Sequence, residues 1–363
     1  MATGPAHVIV IGRRPDMATQ LCFVADARAA AGGRAVTFEP AAGEPVPVLD
    51  GVERLDGVLV CASSQSPWER LTRPSAWTGL VRRAGFGLTL PFQAELALRV
   101  GRSLAGRKPR PWLVNACFPD AVNPLLAQLG VPVLCGIGNI GLLAASAQAA
   151  LELPDQRRLR MLAHHLHLHA PAAGEPEALA WLGDEPVDAA RLLARQRAVD
   201  RTELNHVTGH TAALLLDRLV AGTAAEPLDT HLPGPLGLPG GYPVSLRGIE
   251  LDLRLPPGVT RAGAIEFNQR AALADGVVVE AGTQAGTQAG AQAGTQAGVQ
   301  AGTVRFGPAA VAELRALAPE LAGGFAVTEL PSATARLRAL RDRLRGQALD
   351  RQSSKTAEQE TRV

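Results

Sequence analysis

The row Met161 to Ala170, MLAHHLHLHA, concentrates the chemistry of this chain. Read as a strand, it sets His165, His167 and His169 on one face and His164, Leu166, Leu168 and Ala170 on the other, because successive strand side chains alternate. An imidazole titrates near neutrality, so such a row suits general acid–base work, and its ring nitrogens also ligate divalent ions. No carboxylate is clearly placed to complete a metal site, so acid–base chemistry is expected and no metal is assigned. His206 and His210 stand one turn apart on a predicted helix. That spacing could bind a metal, but the HExxH form is absent and two solvated histidines are the plainer reading. Arg70, or Arg73 beside it, could pair bidentately with a carboxylate or phosphate, the competing reading being a solvated surface arginine. Tyr242, the only tyrosine, is assigned to packing, with a general base as the alternative.

The elements that must hold these residues read as alternating strands and helices. Pro111 to Ala144 gives a strand ending at Asn115, a crossover helix with Leu125, Leu126 and Leu129 at helical spacing, and a strand from Val131 to Cys135. That last strand runs into Gly136-Ile137-Gly138-Asn139. Small residues there let backbone approach a ligand at the carboxyl edge of a parallel sheet, and a plain tight turn is the alternative. Upstream, His7 to Gly12 is a continuous apolar strand, Pro15 to Ala31 a helix closed by Gly32-Gly33, Arg34 to Glu39 a second strand and Asp56 to Cys61 a third. The polar loop from Ala62 and Ser63 to Arg70 follows that third strand, well placed to lie over a cofactor. The turn Gly12-Arg13-Arg14-Pro15-Asp16 is not a glycine-rich phosphate loop. The alternation predicts an α/β fold with a doubly wound parallel sheet over 1–145.

An α+β second domain is expected over 146–330, followed by a C-terminal helix and polar tail over 331–363. Its elements are helices from Val187 to Val199 and Asp200 to Gly222, a half-exposed strand from Leu246 to Leu255, and a hairpin of Val277-Val278-Val279 with Val304-Arg305-Phe306. Helices are also read from Pro308 to Leu321 and Ser332 to Leu349. Residues 281–303 repeat Ala-Gly-Thr-Gln with small changes. Lacking charge and large apolar side chains, this low-complexity insertion cannot offset its ordering entropy and reads as disordered.

Bulk properties narrow the function classes. With 363 residues and 47% hydrophobic content, the chain can bury two medium cores. The formal charge of +2, scattered arginines and 4% aromatics point away from a nucleic-acid partner. No apolar run is long enough for a membrane span and no signal peptide is evident, so a cytoplasmic location is expected. Cys22, Cys61, Cys117 and Cys135 are widely spaced in apolar runs, as suits reduced buried thiols.

The order Asp56-Gly57-Val58-Leu59-Val60-Cys61-Ala62, polar loop with Arg70, helix, Leu113-Val114-Asn115, crossover and Gly136-Ile137-Gly138-Asn139 resembles the lactate/malate dehydrogenase superfamily. That group also contains the family-four glycosidases, which use a nicotinamide cofactor and a metal. Thr208-Gly209-His210-Thr211 and Gly240-Gly241-Tyr242-Pro243-Val244 extend the resemblance more faintly. It implies a Rossmann-like nucleotide-binding domain, NAD or NADP as cofactor, and a small-molecule substrate. It further implies Asn115 as a hydrogen-bond partner of substrate or nicotinamide, Thr211 as a substrate-pocket threonine by position, and an acid/base in the histidine row. In the glycosidases a metal-binding histidine lies in that row, with a cysteine near the position of Cys135.

The departures bear directly on chemistry. The family's opening strand, GxGxxG turn and helix are absent, and spacing back from Asp56 makes His7 to Arg13 look like its second strand. Either that first piece lies upstream, or the site was given up, or His7 to Gly12 is the first strand with Gly12 as the remnant of the fingerprint. On the second-strand reading, Arg13 stands where the family has an acidic residue for the ribose hydroxyls. Arginine there, with Arg14 beside it, favours a 2′-phosphate and hence NADP. The family's Asp/Arg pair after the GxG turn is replaced by Ile140 to Ser146, so ordinary 2-oxo acid reduction is not expected.

The leading expectation is an NAD(P)-dependent oxidoreductase acting on a small polar or carboxylated substrate. A binding or scaffold protein that kept the fold and lost the cofactor site is the alternative. A metal- and NAD-dependent glycosidase-like enzyme, resting on Cys135 and His167, is the third. Dimers are common in that family, so a homodimer is expected, with the basic helix from Ser332 to Leu349 as the face that could pack against a partner.

Overall fold

A computed structural model describes residues 6–282 and 301–348. Most of the repeat, 283–300, expected to be disordered, and the expected polar tail from 349 lie outside the described residues. The first half is α/β with parallel strands, as its alternating pattern predicts. Strand β1 (Ala6–Gly12) leads through α1 (Pro15–Ala31) to β2 (Val36–Ala42), and α2 (Pro45–Asp50) leads to β3 (Gly57–Val60). Pro15 at the first turn of α1 and Gly32 as its C-cap set its limits, the fixed φ of proline suiting entry. Helices α3 (Glu69–Thr72), α4 (Ala76–Ala84) and α5 (Leu90–Ser103) precede β4 (Trp112–Asn115). α6 (Pro119–Gln128) then crosses to β5 (Cys135–Gly136), which runs into α7 (Asn139–Ala150).

These strands form two parallel ladders. β1 pairs with β2, and β3, β4 and β5 pair in that order; no strand pairing joins β1 to β3 among the described residues. β5 is shorter than its apolar run suggests. Val131 and Val133 are buried, but Pro132 between them has no N–H to donate, and backbone pairing with β4 starts at Leu134.

The described residues of the second half form three small antiparallel sheets. The first joins β6 (Leu159–Leu162), β7 (Leu179–Leu182) and β8 (Glu185–Val187), followed by α8 (Ala189–Arg197) and α9 (Arg201–Ala221). α9 runs unbroken through Gly209. The second joins β9 (Leu228–Pro233), β10 (Gly241–Arg247) and β11 (Glu250–Leu253). The expected single strand from Leu246 to Leu255 is instead a hairpin corner, because Gly248 turns the chain at φ 58°. After α10 (Arg261–Ala274), β12 (Val277–Glu280) pairs with β13 (Thr303–Phe306) and β13 with β14 (Phe325–Ala326). α11 (Pro308–Leu317) and α12 (Leu330–Arg345) complete the order.

The histidine row is not a strand beyond Leu162. Residues His165–Leu168 form a 3₁₀ turn, because the His164 N–H donates to His167 Nδ1 at 2.8 Å and closes the chain locally. His165, His167 and His169 therefore do not share one face.

Among the described residues, three hydrophobic clusters hold the molecule together. The first packs Trp77, Leu80, Phe92 and Leu98 against Val304, Phe306, Leu314 and Leu337, so the C-terminal elements fold back onto the first half of the chain. α12 turns Leu330, Leu337, Leu340 and Leu344 into that cluster at helical spacing. Its apolar face is thus buried inside the chain. No described helix is long and apolar enough to cross a membrane.

Candidate functional site

The carboxyl ends of β1, β3, β4 and β5 open on one cleft of about 1310 Å³, the edge at which open parallel sheets bind ligands. Ala62 and Ser63 line it after β3, Cys117 and Phe118 after β4, and Gly138 and Asn139 after β5. Arg13 reaches it from β1 and Arg73 from beyond α3, while Arg341 and Arg345 reach it from α12. Gly136 lies just beneath the lining, where a Cβ would fall 2.2 Å from Pro119 Cβ, so only glycine lets the two turns meet. α7 opens on Gly138 with no side-chain cap and no acidic residue in its first turn. Its leading amides and dipole therefore favour an anion. The turn from β1 into α1 offers no comparable seat. Pro15 has no N–H, and Asp16 places a negative charge in the first turn. Gly12 and Arg14 are not among the residues lining the cleft.

Of the histidine row, His165 alone lines the cleft. Its Nδ1 lies 2.9 Å from Asp275 Oδ2, and Asp275 is buried. The ring stacks on Phe86 with centroids 5.1 Å apart and meets the edge of Phe118 at 5.5 Å. Phe118 sits in the left-handed region at φ 47°, an uncommon conformation for a bulky residue, where β4 turns into α6. Asp275 is held from behind by glycines. Gly87 donates its N–H to the Asp275 carbonyl at 2.9 Å, and Gly85, at φ 91°, would place a Cβ 2.7 Å from the same oxygen. The sequence offered no signal for Asp275, whose Asp-Gly step reads as a turn before an apolar run.

The other histidines lie outside the cleft lining. His167 accepts the His164 N–H on Nδ1 and donates from Nε2 to the Pro176 carbonyl at 3.0 Å, and burial holds its pKa down. His169 is exposed at the end of the turn. Burial pushes His164 down to about 3, so it is neutral. His231, also pushed down to about 3 by burial, accepts the Met161 N–H and bonds Gln156.

Several expected site residues sit elsewhere. Asn115 is fully buried, its amide donating to the Cys117 carbonyl and Asn123 Oδ1 and accepting the Cys117 N–H at 2.9 Å. It shapes the turn under the cleft rather than facing a ligand. Arg70 is exposed outside the lining, and Arg73 takes its place. Thr211 bonds the Thr208 carbonyl and packs near Gly141, while Thr208, one turn earlier, lines the cleft. Tyr242 is wholly buried, in line with packing, and burial raises its phenol. The loop after β3 is pinned by α12. The buried Glu69 takes both Arg345 Nε and NH2 at 2.5 and 2.6 Å, and Arg341 donates to the Ser64 carbonyl while lying over the Phe92 ring.

The glycosidase-like pair is not a metal site. Cys135 lies inside the second cluster with its thiol raised by burial, and His167 spends both ring nitrogens. Among the described residues no group of three or more His, Cys, Asp or Glu side chains is arranged to hold a metal ion.

No protein-family profile matches the chain, and no curated protein is similar to it in sequence. Its structural neighbours are lactate and malate dehydrogenases. The lactate dehydrogenase of Eimeria maxima with NADH and oxamate aligns at 11% identity and TM-score 0.40, over 74% of this chain and 90% of that one. The malate dehydrogenase of Aeropyrum pernix aligns at 14% and 0.44, over 72% and 86%. That of Cryptosporidium parvum aligns at 11% and 0.38, over 75% and 98%. A likeness of this order concerns the course of the chain and carries no argument about activity.

Proposed function

We propose that the cleft binds a nicotinamide nucleotide and a small anionic substrate, and that His165 exchanges the proton accompanying hydride transfer. The observation that carries this reading is the His165–Asp275 pair at the carboxyl edge of the parallel strands. With Nδ1 turned to Asp275, the opposite ring nitrogen, Nε2, is the proton-exchanging atom. The carboxylate fixes tautomer and orientation and stabilises the imidazolium. Phe86 and Phe118 hold the ring plane and keep water from two of its sides.

The residues present fit an elongated anionic ligand. Ala62 and Ser63, Gly138 and Asn139, and the α7 amides would hold it, with Arg13 reaching a phosphate near β1 and Arg73 a substrate carboxylate. The bound nicotinamide supplies or accepts the hydride. Arg13 supports a preference for NADP over NAD.

The test is a titration of the full chain with NADH and NADPH, followed by a substrate screen. We expect micromolar binding with NADPH preferred, and a loss of turnover of about 10²- to 10⁴-fold on His165→Gln with folding unchanged. Unchanged turnover in that variant would remove His165 from the chemistry. The Pro15-Asp16 turn favours a second reading, a binding protein without cofactor. Folded protein that takes up neither nucleotide selects it.

A further inference from the structure

Asp120, in the first turn of α6, is 0% exposed, and neither of its carboxylate oxygens has a hydrogen-bond partner among the described residues. Among the other buried atoms in that condition are His164 Nε2, Tyr242 Oη and Asn268 Oδ1. They belong to one interior cluster. The Tyr242 hydroxyl lies toward the Asn268 side chain, close to bonding it though without full hydrogen-bond geometry, and Asp120 acts on it electrostatically. Gly240 donates its N–H to the Asp120 carbonyl at 3.0 Å, and a Cβ on Gly240 would fall 2.2 Å from Asn268 Oδ1. Asp120 also faces His165 and Asp275, and His164 Nδ1 lies 3.7 Å from the Asp275 carboxylate. α6, β10, α10 and the turn at 165–168 thus gather two carboxyls, two imidazoles, a phenol and an amide. Buried polar atoms are normally paired with good geometry, so such a concentration of poorly satisfied ones needs a reason beyond packing.

We propose that Asp120 is a positioning residue for the cleft, its enclosed carboxyl setting the proton occupancy of the His165–Asp275 pair. It rests on the reading of His165 given above and deepens it. An ionised Asp120 favours the proton on His165 and opposes a second negative charge beside Asp275; a protonated Asp120 removes both effects. Burial pushes the Asp120 carboxyl up to about 6, with His165 acting to lower it and Asp275 to raise it. Its change of state therefore falls where an imidazole itself titrates. The remaining groups that face it stay fixed through that range, Tyr242 protonated and His164 neutral, both because they are buried. The proton on Asp120 is therefore coupled to that on His165. At neutral pH the ionised Asp120 keeps His165 a proton donor, which favours reduction of a carbonyl over oxidation of an alcohol.

The experiment is an NMR titration of the full chain through the acid and neutral range, reading the His165 ring and the Asp120 carboxyl carbon. In the native sequence both resonances are expected to move in two steps with common midpoints. In Asp120→Asn, which keeps the shape of the side chain, the His165 midpoint is expected to fall by about one pH unit. The native titration stands alone if the variant does not fold. A single-step Asp120 curve independent of His165, or a His165 curve identical in the two proteins, overturns the proposal. No nucleotide or substrate is added, so failure here leaves the oxidoreductase reading standing, and failure to bind NADH or NADPH leaves this result untouched.

Discussion

His165 is placed by residues that are themselves chemically inert, and Gly87 shows this best. A methyl group on Gly87 would lie 2.5 Å from the Val277 nitrogen, inside van der Waals contact with a backbone that cannot rotate aside. The segment carrying Asp275 must then retreat. We expect Gly87→Ala to cost about 1–3 kcal/mol of folding stability, the usual range for overpacking a filled site. Denaturant unfolding would show it, and a variant with native stability would mean that the segment yields without strain. Asn115 belongs to the same class. The sequence drew attention to it as an amide at the end of a strand, but an amide there can equally serve the turn that follows. Which it does depends on Cys117 and Asn123 coming within reach.

At the scale of elements, the loop after β3 and helix α12 form one unit. Glu69 is held by Arg345 through two short contacts and by Gln65 at 2.5 Å, with its side chain 6% exposed. Removing the guanidinium leaves a buried carboxylate without its counter-ion. The Arg345 side chain is itself 36% exposed, so water softens the penalty. Arg345→Met is expected to cost about 2 kcal/mol, and adding Glu69→Gln to recover most of it. Urea midpoints of the single and double variants decide this; full additivity would mean that the pair is not coupled. The element pattern itself was legible in good part. Pro15 and Gly32-Gly33 mark both ends of α1, and the apolar runs of β3 and β4 lie where they were read, because these signals are local. The histidine row misled because strand alternation was assumed where side-chain-to-backbone bonds from His164 and His167 form a turn instead.

For the whole molecule, stability against pH follows chiefly from buried histidines and Asp120. His164 and His231 fall from 6.5 to about 3, so the unfolded chain binds two protons that the native protein refuses between those values. Asp120 rises from 3.8 to about 6, so the native protein holds one proton that the unfolded chain has lost. The histidines contribute stability that is present above pH 6.5 and lost as the pH falls. Asp120 contributes stability that is present at low pH and lost as the pH rises through 6. His167, also held down by burial, adds to the histidine side, so between about pH 4 and 6 stability should fall by at least about 1.4 kcal/mol per unit of acidification. Asp120→Asn should steepen that slope. Chemical unfolding at a series of pH values measures both, and a flat profile would mean that the histidines are not held neutral.

The sequence by itself determined the local and periodic features. These are the α/β alternation with its parallel strands, the ends of α1, the glycine turn after β5, and the hairpin strands β12 and β13 that flank the repeat. All are set by residues a few positions apart, where propensity, capping and φ limits act. Only the tertiary structure decided which side chains share a cleft. Asp275 is 110 positions from His165, and α12 returns across most of the chain to hold the loop after β3. Contacts between such distant segments depend on how the apolar faces pack together, and no spacing along the chain records that choice.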